Sequence, residues 1–183
     1  GSYHQARDES FELPVPEDVD PDGLCALLYT SGTTSLPKGV KLTNGALTGY
    51  VMGTNDAATG EDMGRMALAA PLYHIAGVTS MLNALYSGRV VVLLPQFEAS
   101  AWIATVQKHA VTHAFLVPTM LGRVMEAENF SAEAFEGMEA ITYGAAPMPP
   151  SVIRRAIGEF PSNVSFAGAY GQTETTSTVA VLD

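Results

Sequence analysis

The chain has 183 residues, 47% hydrophobic and 15% charged, with nine lysines and arginines against nineteen acidic side chains and a formal charge of −10. Such apolar content builds a core and excludes disorder as the default, and the length fits one large domain or a piece of a bigger protein. The charge excludes nonspecific DNA or RNA binding, which rests on basic side chains meeting phosphates, while the lone Cys25 excludes a disulfide framework and fits a reducing, cytoplasmic compartment.

In chain order, Gly1-Ser2 reads as a cloning scar, and 3–22 as an acidic, proline-bearing surface lead-in with no secretory pattern. The apolar run Leu24–Tyr29 predicts a buried strand with Cys25 packed inside it. Tyr29 to Val40 then reads Tyr-Thr-Ser-Gly-Thr-Thr-Ser-Leu-Pro-Lys-Gly-Val, a poor helix and a poor strand. It makes a good polyphosphate loop, because hydroxyls and free backbone N–H groups donate to phosphate oxygens, glycine permits close approach, and Lys38 supplies a cation. A Walker loop has Gly directly before Lys and Ser or Thr directly after it, whereas Pro37 and Gly39 flank Lys38. A flexible Ser/Thr/Gly linker is the bland alternative, against which stands Pro-Lys-Gly-Val running into a second apolar strand.

The remaining predicted strands are Gly39–Leu42, Met66–Ala69, Arg89–Leu94, Ala114–Val117, Ala140–Thr142 and Val164–Ala167. The predicted helices are Gly45–Met52, Ile75–Tyr86, Ala99–His109, Thr119–Ala127 and Pro149–Glu159. Thr43 or Asn44 is placed to cap the first helix, and Ser100 lies near the start of the third. This alternation predicts an α/β fold with a mostly parallel sheet and helices on its faces. The apolar stretches stop well short of a membrane span.

Two strand ends carry further chemistry. Gly168-Ala-Tyr-Gly-Gln-Thr-Glu174 sets small residues around Tyr170, whose ring can stack on a base, and ends in Thr173, a phosphate donor, and Glu174, a hard oxygen ligand for magnesium. Taken alone it reads as a strand end and a turn with a solvated carboxylate; coupled with the polyphosphate loop, the ligand-binding reading prevails. Tyr143-Gly-Ala-Ala-Pro147 removes side-chain bulk where a planar ligand can lie against backbone. His74, within Pro71–Gly77, has no partner nearby in sequence to form a triad. His109 and His113 lack the further ligands that zinc takes.

Together Tyr29–Val40, Pro71–Gly77, Tyr143–Pro147 and Ala169–Glu174 resemble the acyl-adenylate-forming (AMP-binding) superfamily, most of all acyl-CoA synthetases such as fatty-acid–CoA ligases. The resemblance implies activation of a carboxylic, here fatty, acid by ATP with Mg²⁺, then transfer of the acyl group to coenzyme A. It implies that Thr30, Ser31, Gly32, Thr33, Thr34 and Lys38 hold the β- and γ-phosphates, that Thr30 and Glu174 contact magnesium, and that Thr173 binds the α-phosphate. Gly144, Ala145, Ala146 and Pro147 would line the adenine with Tyr170 and Gly171 opposite. Gly168 and Ala169 would floor the acyl site, and His74 would orient the carboxylate. The family usually has glycine at Ser35 and often histidine at Asn44.

Residues 23–183 are on this reading part of the family's large N-terminal domain, without the lysine-bearing C-terminal domain, and not competent alone. The intact parent, a candidate homodimer, takes a small-molecule acid and has no nucleic-acid partner and no membrane span. Small apolar residues at Ala167–Ala169 favour a plain acid over an amino acid. Met81, Leu82, Leu85, Phe115 and Met120 fit either an acyl tunnel or an ordinary core. An adenylation domain serving a carrier protein and a non-catalytic nucleotide-binding module stay open as alternatives.

Overall fold

The computed structural model describes residues 18–30 and 36–182; Gly1-Ser2, most of the lead-in and Ser31–Ser35 lie outside the described residues. Strands β1 (Leu24–Thr30) and β2 (Lys38–Thr43) lead into helix α1 (Asn44–Thr54). Then come β3 (Arg65–Leu68), α2 (Ile75–Tyr86), β4 (Val90–Leu93), α3 (Ala99–His109), β5 (His113–Leu116) and α4 (Pro118–Met125). A 3₁₀ turn at Ala132–Phe135 precedes β6 (Ala140–Gly144), α5 (Pro150–Glu159) and β7 (Ser165–Gln172), and a second at Thr173–Thr175 precedes β8 (Ser177–Leu182).

The main sheet has six strands in the order β4-β3-β5-β6-β7-β8, with β3 to β7 parallel and β8 antiparallel to β7. Its strands read as apolar runs because both faces are covered. Ala67, Ala69, Ala114 and Leu116 point into the core with α3, α4 and α5. The alternate residues Leu68, Ala70 and Phe115 face the other way, where Ala76 and Met81 of α2 pack. On the first face Trp102 stacks on Phe135 at 6.0 Å between ring centroids, and Phe135 meets Phe160 at 4.6 Å.

Three expectations are corrected. The first two strands do not join the parallel sheet: β1 and β2 form a separate antiparallel hairpin, with Thr30 opposite Lys38. The connection 31–37 is too short for the crossover that parallel neighbours need. Nor is β1 buried, since Leu24 is 59% and Tyr29 70% exposed. Only one side of the hairpin docks, through Ala26, Leu28, Val40 and Leu42 onto Leu47 and Ile75. Cys25 falls on the other side and is exposed, so it is not core packing. Ser100 does lie in the first turn of α3, whose cap is Glu98: its carboxylate accepts from Ala101 N at 2.6 Å and from Ser100 N at 3.0 Å. Those N–H donors, Ala101 first, hold the Glu98 carboxyl below the ordinary value.

Thr43 does cap α1, its Oγ1 accepting from Ala46 N at 3.2 Å. Strand β8 and the extension of β7 to Gln172 are additions to the predicted elements. Among the described residues no helix is long and apolar enough to cross a membrane.

Candidate active site

Open α/β sheets bind ligands beyond the carboxyl ends of their strands. Here β3 delivers the turn to His74, β6 delivers Ala145, and β7 delivers Thr173 and Glu174. These residues line one cleft of about 250 Å³, and Thr30 enters it from the hairpin. Thr30 Oγ1 lies 3.3 Å from Glu174 Oε1 and donates to it. Lys38, exposed, starts β2 directly across from Thr30 and so stands at the rim rather than in the lining. Ser31, Gly32, Thr33 and Thr34 lie outside the described residues.

Glu174 is held by a stiff turn. The Gln172 N–H donates to Thr175 Oγ1 at 3.2 Å, and that hydroxyl lies 3.0 Å and 2.9 Å from the carbonyls of Gln172 and Ser177. Thr176 and Ser177 have φ of 60° and 102°, conformations that cost non-glycine residues energy and persist only when their surroundings fix them. What fixes them is visible: the Ser177 and Thr79 hydroxyls are 2.9 Å apart in a buried setting, and Thr79 Oγ1 is 2.9 Å from the Ile75 carbonyl. Gly171 closes the arrangement, because a Cβ there would run into the Ser177 carbonyl.

His74 caps α2, its Nδ1 accepting from Ala76 N at 3.2 Å. With Nδ1 so engaged, a neutral ring carries its proton on Nε2, which leaves an N–H donor for a ligand.

A second cleft, about 500 Å³, is lined by Tyr143, Gly144, Ala145, Ala146, Pro147, Met148 and, across from them, Gly168 to Gly171. Gly144 is required by space, as a Cβ there would meet the Ala169 carbonyl. Ala145 has φ of 64°, another strained position. Tyr170 is 72% exposed, its ring open to a partner. Ala145, Ala169 and Gly171 line both clefts, so the two are continuous. Gly168 packs under the Tyr143 ring on this side, while Ala169 stands at the junction.

From the first cleft an inner cavity of about 160 Å³ continues between α2 and the sheet, sharing Ala76, Phe115, Ala169, Ser177 and Thr178 with it. Its lining also includes Asn83, Arg89 and His113. The His113 ring has Nδ1 2.8 Å from Thr112 Oγ1 and Nε2 3.4 Å from an Arg89 guanidinium nitrogen. Burial, then the Arg89 charge, pushes its pKa below the ordinary value, against a smaller opposite pull from Glu139. Of the apolar residues weighed for a tunnel, Phe115 lines this space. Met81, Leu82 and Met120 pack into the core clusters, and Leu85 is exposed.

Sequence reasoning did not single out Gln172, Ser177, Thr178, Asn83 or Arg89. The alternating Thr178-Val179-Ala180-Val181 was a legible strand signal for β8; Asn83 and Arg89 carry no local signal, because only the packing of α2 on the sheet brings them inward.

A parallel sheet whose carboxyl ends gather hydroxyls, a carboxylate, a histidine and a cleft walled by small residues is the arrangement in which open α/β proteins bind ligands. The family model described as AMP-binding enzyme matches residues 2–183, and the chain belongs to that family. It is 34% identical over 187 residues to a feruloyl-CoA synthase of Amycolatopsis sp, covering 100% of this chain and 36% of that protein. To 4-coumarate–CoA ligase 1 of Oryza sativa subsp. japonica it is 35% identical over 178 residues, covering 92% of this chain and 31% of that one. It superimposes on the o-succinylbenzoate coenzyme A synthetase of Bacillus subtilis in complex with ATP and magnesium ion at a TM-score of 0.75 and 28% identity. That match covers 98% of this chain and 37% of the other. The chain thus spans about a third of the length of the curated relatives it matches.

Proposed function

We propose that the full-length protein activates a carboxylic acid with ATP and passes the acyl group to coenzyme A. A carboxylate oxygen attacks the α-phosphorus and pyrophosphate leaves; the thiolate sulfur of coenzyme A then attacks the acyl carbon, and AMP leaves. The observation that carries this reading is the meeting of Thr30 and Glu174 at 3.3 Å, in a cleft that also holds His74 and Thr173 and opens into the small-residue cleft. The relatives' names, a feruloyl-CoA synthase and a 4-coumarate–CoA ligase, add support.

In this assignment Thr30 to Thr34 and Lys38 hold the β- and γ-phosphates and Thr173 the α-phosphate. Gly144 to Pro147 lie along one face of the adenine, with Ala169, Tyr170 and Gly171 on the other. His74 donates from Nε2 to orient the acid. The protein's contribution is positioning and charge neutralisation.

Magnesium fits the donor set. The Thr30 hydroxyl and the Glu174 carboxylate are hard oxygens close together, and Mg²⁺ is commonly held by one or two protein oxygens plus substrate phosphates. Bound there, the ion would neutralise charge on the departing pyrophosphate.

The inner cavity favours a compact acid over the fatty acid the resemblance suggests. At about 160 Å³ it is close to the ~150 Å³ that accommodates a benzene ring. The test is ATP–pyrophosphate exchange by the full-length protein across short, long and aromatic acids, followed by thioester formation with coenzyme A. Acid-dependent exchange, strongest for ring-sized acids, is expected. Nucleotide binding without exchange for every acid would leave only a non-catalytic module.

A further inference from the structure

We propose that Ser177 and Thr79 are positioning residues. Their buried hydroxyls tie the turn that carries Thr173 and Glu174 to the start of the helix that carries His74, so that magnesium-bound ATP and the acid strengthen each other's binding. The proposal rests on the acid-activation reading above and gives work to two side chains that the reading leaves without a role.

Thr79 and Ser177 are 98 residues apart in sequence and 2% and 8% exposed, and their hydroxyl oxygens lie 2.9 Å apart. The directions of the bonds follow from counting protons. Thr79 Oγ1 is also 2.9 Å from the Ile75 carbonyl, one helical turn back, and a carbonyl can only accept. The single Thr79 proton therefore goes to Ile75, and the Thr79 oxygen accepts from the Ser177 hydroxyl. This relay ends on the residue next to His74, whose ring caps the same end of the helix.

At its other end the relay holds the base of the candidate metal turn. Gln172 and Ser177 are paired across β7 and β8, and Thr173 to Thr176 form the loop between them. The Ser177 carbonyl lies 2.9 Å from the Thr175 hydroxyl, and Ser177 itself has a φ of 102°. Such a backbone persists only when its surroundings fix it, and α2 does so from outside the turn. Thr173 and Glu174 on one side and His74 on the other line the same cleft, so the relay joins the two groups that face its two substrates.

Stability alone does not call for two hydroxyls here. Apolar groups of matched shape are nearly as stable as a buried hydrogen bond, but they do not set its distance and angle. Sites held to a working geometry depend on such supporting contacts. A ligand that orders one of the two elements orders the other through the relay, and by thermodynamic linkage the effect is reciprocal.

The test uses the full-length protein as wild type, as Thr79→Ser, and as the double variant Thr79→Val with Ser177→Ala. The acid is whichever of acetic, 3-phenylpropanoic and dodecanoic acid gives the strongest ATP–pyrophosphate exchange. Calorimetry measures its affinity with and without Mg²⁺ and an α,β-methylene analogue of ATP. Wild type and Thr79→Ser, which keeps the hydroxyl, are expected to bind the acid about fivefold or more tightly with the nucleotide present. In the double variant that ratio should approach one and the magnesium concentration for half-maximal exchange should rise, while the denaturant midpoint stays close to wild type. Ser177→Ala, which leaves the Thr79 proton on Ile75, serves the same comparison should the double variant not fold. A wild-type ratio of one, or a folded variant that keeps both the ratio and the magnesium midpoint, would overturn the proposal. Acid-dependent exchange without coupling sinks this proposal alone; no exchange with any acid sinks the acid-activation reading as well.

Discussion

Thr30 and Glu174 are 144 residues apart in sequence, yet the hydroxyl of one donates to the carboxylate of the other at 3.3 Å. They belong to different hydrogen-bonded ladders, the β1–β2 hairpin and the β7–β8 edge of the main sheet, and the site exists because the two ladders converge.

Glu174→Gln keeps the shape and removes the charge. Because the residue is exposed, folding stability should stay within about 0.5 kcal/mol of wild type. Turnover should fall and the magnesium concentration for half-maximal exchange should rise. A magnesium titration with an unchanged midpoint would remove Glu174 from the metal site.

Lys38→Ala tests the loop. The side chain is exposed at the first position of β2, so the melting temperature should hardly move while the KM for ATP rises. An unaltered KM would detach Lys38 from the phosphates.

Two glycines should respond in opposite directions to alanine. At Gly171 the new Cβ meets the Ser177 carbonyl, and overpacking of this kind costs about 1–3 kcal/mol. At Gly122, inside α4, a Cβ meets nothing within 4 Å. There the higher helix propensity of alanine should add up to about 1 kcal/mol. Denaturant unfolding followed by the fluorescence of the single tryptophan, the fully buried Trp102, measures both.

The Thr79–Ser177 pair is a stability feature with a double-mutant signature. Thr79→Val leaves a buried hydroxyl without its partner, at about 1–3 kcal/mol. Adding Ser177→Ala should cost much less than the sum of the single changes. Strict additivity in the four-way comparison would mean the two hydroxyls do not support each other.

Acid should weaken the fold in two separate windows. His113 has its pKa held below 6.5 by burial first and by Arg89 second. Between that lowered value and 6.5 the unfolded chain binds more protons than the folded one, so stability falls as pH drops through the window. Glu98 and Glu133, whose pKa values lie below 4.5, lose their contribution only at still lower pH. Denaturant midpoints at about pH 7.5 and about pH 5.5 isolate the histidine, and His113→Gln should flatten the difference between them.

Most of the main sheet was legible because alternating apolar strands and helices repeat a local pattern. The β3 to β7 elements lie within a few residues of their predicted positions. The hairpin was misread as part of that sheet, because an apolar run says strand without saying which partner it pairs with. Cys25 followed from the same error: on a two-strand ladder docked on one side, every second residue faces out. The gathering of Thr30, His74, Thr173 and Glu174 was expected from three motifs, while Asn83 and Arg89 were invisible because no motif contains them.

The hairpin's isolation has a kinetic consequence. Its docked side rests on a small cluster around Leu42, Leu47 and Ile75, whereas the central strands sit in a far larger core. Amide exchange in 24–30 and 38–43 should therefore proceed by a low-energy local opening that leaves protection in β3, β5 and β6 intact. Each such opening carries Thr30 away from Glu174 without unfolding the sheet, so the lifetime of this small unit governs how long the site stays assembled.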